Sequence, residues 1–578
     1  MNRLESPAAL TALMNEINGR PQAPRVISCA GGTCGISRGA ESVARAIRQQ
    51  IEAQGAGDRV AMRETACQGF CQAEPVVVVL PERTFYARVT PGDAADIVRS
   101  AANGGAPVER LLFREGDQTF TQEETVPFFR KQHRLLMGQH CHLDPTRIED
   151  YIARGGYQAA ARCLTEMTPE TIIEQIKKAD LRGRGGGGFQ TARKWDSARK
   201  AHGSPKYVLC NADEGNPGAY MDRTLLEGNP HSIIEGMLIG AIAIGASQGY
   251  VYCRIEYPLA VDHLTHAIDQ ARECGLLGDR ILGTDFSFDL KVVRGGGAYV
   301  CGESTALMAS IEGKPGEARA KYIHTAESGL WNKPSNLNNV ETWANVPLIL
   351  NLGAEKYAAL GAPGGRGTKI FSLVGAVRYP GLVEVEMGAT FREIIFDIGG
   401  GIRGGRALKA IQIGGPSGGV LPASALDMKV DFDTLWEAGS LMGAGGVIVA
   451  DDTMCMVDLA RCIIDFQIDE SCGKCAPCRE GLCHLGGILR RITEGEGMEG
   501  DLELIEEISP TMKIASLCGL GQAAPDLLLS TIKYFREEYE EHIRDKKCRA
   551  GVCRTMSAGR CGMTKTGACE MTSTERVG

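Results

Sequence analysis

Four cysteines in the last quarter of the chain have a spacing suited to metal ligation. The segment SCGKCAPCREG contains a CxxCxxC pattern, and a further thiol follows in SLCGLG; the four residues are Cys472, Cys475, Cys478 and Cys518. One short loop can wrap three corners of a cubane, while the fourth thiolate comes from elsewhere in the chain. A zinc site and ordinary buried thiols are the alternatives. The pattern favours a four-iron cluster, and the extra thiol of Cys483 is predicted to be packed.

A second set of four cysteines lies near the amino terminus. CAGGTC contains Cys29 and Cys34, and CQGFC contains Cys67 and Cys71. The first loop is rich in glycine, which lets backbone amides approach an inorganic sulfide. A zinc site or a thiol redox pair would also use cysteines, but this region has no CxxC pair and its spacing is wide for zinc. The spacing favours a two-iron cluster.

The end of the chain has cysteines whose role the spacing does not decide. Cys548, Cys553, Cys561 and Cys569 match no common ferredoxin pattern, although they are numerous enough to bind a cluster. His542 lies shortly before them and offers an imidazole suited to zinc. A solvated histidine is the simpler alternative. Zinc is the favoured interpretation.

Several glycine- and asparagine-rich loops indicate a site for a phosphate-bearing ring cofactor. Glycines 183 and 185–188 follow a predicted helix with Thr168 as N-cap, and backbone without Cβ can approach a phosphate or a ring edge. Arg184 and Lys194 are expected to neutralise phosphate charge. Polar residues follow predicted strands, where ligand sites of α/β folds lie. These are Asn211, Asp213 and Glu214 in CNADEGNPGA, and Asn338, Asn339 and Thr342 in SNLNNVET.

Apolar periodicity predicts the elements that position these motifs. Residues 25–100 read as a small α/β unit with a first strand RVISCA, a helix over about 40–53 and a hairpin near 76–86. A polar linker follows, and residues 130–350 alternate strands and helices. An α+β insert occupies about 363–440, and helical periodicity predicts a bundle from Met454 onward.

Composition excludes several classes of function. The chain has 578 residues, too many for one hydrophobic core. Its net charge is −8 and it has no basic tail, which argues against binding to nucleic acid or to anionic membranes. No segment resembles a signal peptide or a membrane span, so we expect a soluble, cytoplasmic protein. Twenty-one cysteines in that setting indicate metal ligands rather than disulfides. The isolated Cys210, Cys253 and Cys274 are expected to be buried thiols.

GRGGGGF, CNADEGNPGA, CGESTAL, NNVET and SCGKCAPCREG, in this order, resemble the flavin-binding NADH-oxidising subunit of respiratory complex I and its relatives in cytoplasmic NAD(P)-linked hydrogenases and formate dehydrogenases. The resemblance covers about residues 130–545. It implies a multidomain α/β fold in six parts. These are a thioredoxin-like [2Fe-2S] domain (1–105), a linker (106–130), a Rossmann-like FMN and NAD(P) domain (131–360), a β-grasp, SLBB-like domain (361–440), a helical [4Fe-4S] domain (441–545) and a cysteine-rich tail (546–578).

The resemblance also implies site residues. FMN would be bound by Gly183, Arg184, Gly185, Gly186, Lys194, Asn211, Asp213, Glu214, Leu337, Asn338, Asn339 and Thr342. The nicotinamide nucleotide would lie beside Phe189, Gly302, Glu303 and Ser304, and zinc would be held by Cys455, His542, Cys548 and Cys553.

Four positions depart from the family pattern: Ser197 and His324 replace aromatics expected on adenine, Asn216 replaces an acidic residue, and Ser304 replaces the second glutamate of CGEETAL. A carboxylate at position 304 would repel a 2′-phosphate, so Ser304 predicts a preference relaxed toward NADP(H), or a nucleotide site altered in another way.

The predicted function is hydride transfer between NAD(P)H and FMN, with single electrons passing through the clusters to or from partner subunits. The predicted partners are a thioredoxin-like [2Fe-2S] small subunit and a larger iron–sulfur catalytic subunit of hydrogenase or formate dehydrogenase type, with ferredoxin as a further candidate and electron bifurcation suggested by analogy alone. The alternative is a non-enzymatic electron-wiring subunit whose nucleotide site has decayed.

Overall fold

The computed structural model describes residues 3–21, 23–320 and 322–553. The amino-terminal unit is an α/β layer whose sheet has the order β2-β1-β3-β4, with β1 and β2 parallel and β3 and β4 forming the predicted hairpin. Helix α3 covers the predicted range and buries Val43, Ala44 and Ile47 on one face. The elements are α1 Pro7–Gly19, β1 Arg25–Ala30, α2 Thr33–Ser37, α3 Ala40–Ala53, β2 Val60–Thr65, β3 Val77–Leu80, β4 Thr84–Tyr86 and α4 Ala94–Asn103.

The segment predicted as a linker is structured. It forms a hairpin of β5 Phe113–Glu115 and β6 Gln118–Phe120, followed by α5 Pro127–Arg130. Phe128 in α5 stacks on Phe70, with ring centroids 4.2 Å apart. Both rings belong to a hydrophobic core that also contains residues of the sheet at 368–451. The buried aromatic residues give this polar stretch a fixed conformation, so the prediction of a linker over 106–130 differs from the structure.

The central unit is a parallel sheet of order β10-β7-β8-β9 flanked by helices. Thr168 caps α8 as predicted, since its hydroxyl accepts from the Thr171 amide at 3.2 Å. Helix α11 is buried along its whole length, which explains its apolar sequence. The elements are α6 Ile148–Ala153, α7 Gln158–Thr165, α8 Pro169–Lys178, α9 Thr191–Lys200, β7 Tyr207–Ala212, α10 Met221–Gly228, α11 Pro230–Ile244, β8 Gln248–Arg254, α12 Pro258–Glu273, β9 Asp289–Gly295, α13 Ser304–Ile311, β10 Ser335–Asn339, α14 Val340–Leu352 and α15 Ala354–Ala358.

The third unit contains a mixed sheet of order β14-β13-β17-β15-β16. Its middle strand, β17, pairs parallel with β13 and antiparallel with β15, so the sheet continues to Asp451, past the boundary predicted at 440. The elements are β11 Gly361–Ala362, β12 Gly365–Arg366, β13 Thr368–Gly375, β14 Gly381–Glu386, β15 Leu408–Ile413, β16 Gly419–Pro422, α16 Phe432–Glu437 and β17 Gly446–Asp451.

Four helices follow, as the periodicity predicts: α17 Met456–Glu470, α18 Ala476–Thr493, α19 Asp501–Ala515 and α20 Gly519–Glu540. Their apolar faces form one buried cluster that also contains Cys455, Cys548 and Cys553. In the described part of the chain, no helix has the length and apolar composition needed to cross a membrane. The predictions that concern Cys561 and Cys569 lie outside the described residues.

Candidate functional site

A cleft of about 580 Å³ opens at the carboxyl ends of the parallel strands. Strand β7 ends immediately before Asp213, and β10 ends at Asn339, so the predicted polar residues meet at one edge of the sheet. Eight of the predicted residues line the cleft: Gly185, Gly186, Asn211, Asp213, Glu214, Gly302, Glu303 and Asn339. The glycine loop approaches β10 closely, because a Cβ on Gly185 would lie 2.8 Å from that of Asn339.

Asp213 has a buried carboxylate directed into this cleft. Neither of its oxygens has a hydrogen-bond partner among the described residues, and the nearest cation, Arg254, lies 4.0 Å away. Burial raises the pKa of Asp213 to about 7, against the opposing effect of Arg254 and with smaller contributions from Glu256 and Glu470. A buried polar group without a partner is costly, so a ligand that donates hydrogen bonds fits here.

Glu214 has a different environment. Its two carboxylate oxygens accept from the backbone amides of Asp222 and Arg223, at 3.0 and 3.1 Å. These amides belong to the first turn of α10, where a negative charge is favourable. Glu214 therefore lines the cleft and also anchors α10.

The predicted residues outside the cleft lining support its walls. Gly183 donates to the Phe189 carbonyl at 2.9 Å, and Phe189 itself is 56% exposed. Lys194 donates to the Leu337 carbonyl and, at 3.2 Å, to the Asn338 amide oxygen. Asn338 Nδ2 is buried without a partner among the described residues, which leaves a donor available beside this lysine.

Arg184 does not have the predicted orientation. Its guanidinium is fully buried, donating to the Tyr357 hydroxyl at 3.1 Å and to the Arg366 carbonyl. Its backbone amide donates to Thr342 Oγ1 at 2.8 Å. The side chain is directed into the protein, where a backbone carbonyl and a tyrosine hydroxyl accept from it, rather than into the cleft as the prediction of a phosphate contact requires.

Glu303 and Ser304 interact with each other at the start of α13. Glu303 is the N-cap and accepts from the backbone amides of Thr305 and Ala306, at 2.8 and 3.0 Å. Ser304 Oγ donates to Glu303 at 3.1 Å. Of the other departures, Asn216 lines the cleft, Ser197 lies in α9, and His324 is an exposed loop residue.

Sequence reasoning missed the part of the cleft that the third unit supplies. Gly443 pairs with Gly186 in an isolated β-bridge, and the exposed Trp436 also lines the cleft. Tyr299, between β9 and α13 of the central unit, lines the cleft too and was likewise missed. The glycine cluster LMGAGG at 441–446 was a signal of the same kind as the other loops. An aromatic residue such as Trp436 carries no comparable signal.

The predicted four-iron ligands lie together beside the cleft. Cys475 and Cys518 are the N-caps of α18 and α20, and all four thiols line one cavity with Val300 and Leu520. The Leu517 amide donates to Cys475 Sγ at 3.4 Å, and helix N-termini favour thiolates. Val300 and Leu520 also line the cleft, so the two sites share a wall. Cys483 is exposed, so the expectation that it is packed is wrong.

The amino-terminal cysteines surround the buried Glu74. This carboxylate raises the pKa of Cys29, Cys67 and Cys71, in each case after the larger effect of burial. The Cys67 thiol lies 3.4 Å from Glu74, and Cys34 acts electrostatically on Cys67 and Cys71. Buried thiolates need a compensating positive charge, and a two-iron cluster supplies it.

The structure also brings together the four predicted zinc ligands. Ligand atoms of Cys455, His542, Cys548 and Cys553 all lie within 4.8 Å of one another and are buried. His542 Nε2 is 3.5 Å from Cys455 Sγ and 3.4 Å from Cys553 Sγ. Tetrahedral bonds of about 2.0–2.3 Å place ligand atoms about 3.3–3.8 Å apart, so these separations fit zinc. The hydrogen bond from Cys553, together with His542, lowers the pKa of Cys455 to about 4, which favours its thiolate.

Three family models match separate parts of the chain. The thioredoxin-like [2Fe-2S] ferredoxin model matches residues 11–102, the Nuo51 FMN-binding domain matches 176–348, and the iron–sulfur binding region of NADH-ubiquinone oxidoreductase-F matches 458–542. The first contains all four amino-terminal cysteines, the second all the predicted flavin and nucleotide residues, and the third all four predicted four-iron ligands. Of the four predicted zinc ligands, the third range contains His542 alone. The predicted fold class is confirmed.

Known proteins agree with these domains. NADP-reducing hydrogenase subunit HndC of Solidesulfovibrio fructosivorans is 49% identical over 74% of this chain and 87% of its own length. The NADH-quinone oxidoreductase F 2 subunit of Rhizobium meliloti is 46% identical over 69% of this chain and 95% of its own length. A crystal structure of NAD+-reducing [NiFe]-hydrogenase in the H2-reduced state has a TM-score of 0.64 and 27% identity, covering 93% of this chain and 87% of that one. The chain therefore belongs to the oxidoreductase family that includes the NADH-quinone oxidoreductase F subunits and hydrogenase subunit HndC, with flavin and iron–sulfur domains.

Proposed function

We propose that this chain is the flavin subunit of a multi-subunit oxidoreductase, in which a hydride passes between NAD(P)H and FMN and single electrons leave or enter through iron–sulfur clusters. The observation that carries the proposal is the wall shared by the cleft and the four-cysteine cavity through Val300 and Leu520. When bound, FMN supplies the exchange between two-electron and one-electron steps.

In this proposal the residues of the chain bind and orient the flavin and the nucleotide, and they do not themselves react. The backbone of the loop at Gly185 and Gly186 lines the cleft without side chains in the way, which suits a flat ring and a phosphate. Asp213 would accept hydrogen bonds from bound flavin, and Asn338 and Lys194 would hold its polar chain. The unpartnered carboxylate of Asp213 and the unpartnered amide nitrogen of Asn338 support this assignment. Hydride transfer itself requires no acid or base from the protein.

Electron delivery is the step that tests the proposal. Cys475→Ala removes one cluster thiolate, so reduction of the flavin by NAD(P)H should stay near the wild-type rate while transfer to a partner or a one-electron dye slows. Cys483→Ala is the matched control, because this exposed cysteine lies outside the ligand set. Stopped-flow absorbance follows both steps, and iron analysis reports cluster content. Unchanged delivery with reduced iron content would contradict the assignment.

We infer a nucleotide preference relaxed toward NADP(H). Ser304 brings no negative charge to the start of α13, and the charge of Glu303 is already engaged by two backbone amides. The name of HndC, an NADP-reducing hydrogenase subunit, supports the same direction. Steady-state kinetics with both nucleotides decide it. An NADH preference above about a hundredfold, on the order of 3 kcal/mol, would refute the inference.

A structural zinc ion bound by Cys455, His542, Cys548 and Cys553 is part of the proposal. Four ligands with no open position suit a structural rather than a catalytic zinc. The ion would fasten the end of the described chain to the bundle, because Cys455 is the N-cap of α17. Metal analysis of the purified protein tests this site.

We propose a soluble, cytoplasmic complex as the setting. The relatives named above are subunits of larger assemblies, which supports an iron–sulfur catalytic subunit of hydrogenase or formate dehydrogenase type, a thioredoxin-like [2Fe-2S] subunit and ferredoxin as partners. Electron bifurcation is the most specific form of this proposal. Co-purification of neighbouring subunits, followed by assays with ferredoxin and NAD(P)H together, tests it.

A further inference from the structure

Helix α10 joins the cleft to the amino-terminal cysteine set. At its start, Glu214 accepts from the backbone amides of Asp222 and Arg223, and Asp222 itself lines the cleft. In its last turn, Glu227 accepts from the Thr33 amide at 2.9 Å, in the loop between Cys29 and Cys34. One short helix therefore contacts both sites.

Two side chains of this segment contact thiols of the cysteine set. Arg223 donates from its guanidinium to Cys34 Sγ at 3.2 Å. The hydroxyl of Tyr220, the N-cap of α10, lies 3.2 Å from Cys71 Sγ. A thiolate has no proton to donate, so the Tyr220 hydroxyl is the donor when Cys71 ligates iron. Two of the four thiols thus receive hydrogen bonds from outside the ferredoxin domain.

The surroundings keep the Arg223 guanidinium in place. It lies over the rings of Tyr220 and Tyr257, at 5.6 and 5.5 Å from their centroids, and Tyr257 donates to the Glu214 carbonyl at 3.1 Å. The Arg223 side chain is 17% exposed, and its Nε is 3.7 Å from Glu227. A charge held this far from solvent is weakly screened.

We propose that Arg223 and Tyr220 set the reduction potential of the two-iron cluster held by Cys29, Cys34, Cys67 and Cys71. One-electron reduction adds one negative charge to the cluster and its thiolates, with the electron coming from the flavin in the proposed function. A nearby cation and hydrogen-bond donors to sulfur stabilise the reduced form more than the oxidised form, so they raise the potential. The inference rests on the proposed function, because it requires the cluster at these cysteines.

The test is a dye-mediated redox titration of the full-length chain, followed by electron paramagnetic resonance of the reduced two-iron signal. Arg223→Gln should lower the midpoint by at least about 59 mV, the one-electron equivalent of a tenfold change in the reduced-to-oxidised ratio. Tyr220→Phe removes one hydroxyl and should lower the midpoint potential by a smaller amount. Arg223→Lys keeps the charge, so its midpoint potential should lie between those of the wild type and Arg223→Gln.

Two controls separate an effect on the two-iron midpoint potential from general damage to the protein. Arg199→Gln removes a cation that pairs with Glu170 on the surface, and it should leave the midpoint unchanged. The four-iron midpoint should be unchanged in every variant. If Arg223→Gln does not assemble the cluster, Tyr220→Phe and Arg223→Lys decide the question, because both preserve the shape of the site.

The outcomes distinguish failure of the proposed two-iron cluster from failure of the inference about Arg223 and Tyr220. A wild-type chain with no two-iron signal after reconstitution would refute the proposed cluster, and with it the inference. A cluster that assembles normally but keeps its midpoint in the Tyr220→Phe and Arg223 variants would refute the inference alone. Arg223 and Tyr220 would then be tethers between domains.

Discussion

Flavin binding should depend on pH through Asp213. Its carboxylate is buried, faces the cleft and has a pKa raised to about 7 by burial. If bound flavin donates a hydrogen bond to the ionised form, affinity is fully present above about pH 7 and is lost as the pH falls below it. With that pKa, the fraction of ionised Asp213 falls about tenfold between pH 8 and pH 6, and the dissociation constant should rise by about fivefold to tenfold, depending on how weakly the neutral form binds.

The assay is an equilibrium titration of the deflavinated protein, followed by flavin fluorescence from pH 5.5 to 8.5. Riboflavin is the ligand of choice, because a phosphate has its own ionisation near pH 6. Asp213→Asn has nearly the same shape but does not titrate, so its affinity should be independent of pH. At pH 8 it should bind about tenfold more weakly than the wild type, the effect of losing one hydrogen bond to a charged group.

Two results would refute this reasoning. One is a wild-type affinity for riboflavin that changes less than about twofold between pH 8 and pH 6. The other is an Asp213→Asn variant with the same pH dependence as the wild type, because some other group would then be titrating.

Three further predictions concern the nucleotide, the zinc site and a buried cation. Ser304→Glu should raise the ratio of kcat/KM for NADH to that for NADPH at least about tenfold, because the carboxylate repels a 2′-phosphate. Ser304→Ala should leave this ratio near that of the wild type, and equal ratios in the two variants would contradict the proposal. Cys553→Ser should lower zinc content from one ion per chain, measured by elemental analysis, while Cys462→Ser, at an exposed position, should not; equal zinc in both would exclude the site. Arg184→Leu leaves the Arg366 carbonyl and Tyr357 without their donor and should destabilise the protein on the order of 3 kcal/mol in calorimetry; an unchanged melting profile would show that these bonds contribute nothing.

Local sequence predicts much of the secondary structure because periodicity and capping act over a few residues. The strand at Arg25–Ala30, the helix at Ala40–Ala53 and the Thr168 cap lie where the pattern places them. The hairpin within the predicted linker was missed, because its stability comes from Phe113 and Phe128 packing on aromatic residues distant in sequence. The strand Gly446–Asp451 pairs with strands that precede the boundary predicted at 440, and the local sequence carried no sign of this because those partners lie tens of residues earlier.

Cysteine spacing along the chain was enough to show which groups could ligate metal, because it reflects how a short loop wraps a cluster. Five motifs in a fixed order were enough to indicate the family. Which side chains face the cleft, however, depends on contacts between segments that are distant in the chain. Arg184 satisfies backbone carbonyls and is directed away from it, while Asp213 remains unpartnered and faces it. Only the fold also revealed that α10 brings Arg223 and Tyr220 to thiols about 150 to 190 residues earlier in the chain, because side-chain direction and domain contact depend on packing between distant segments.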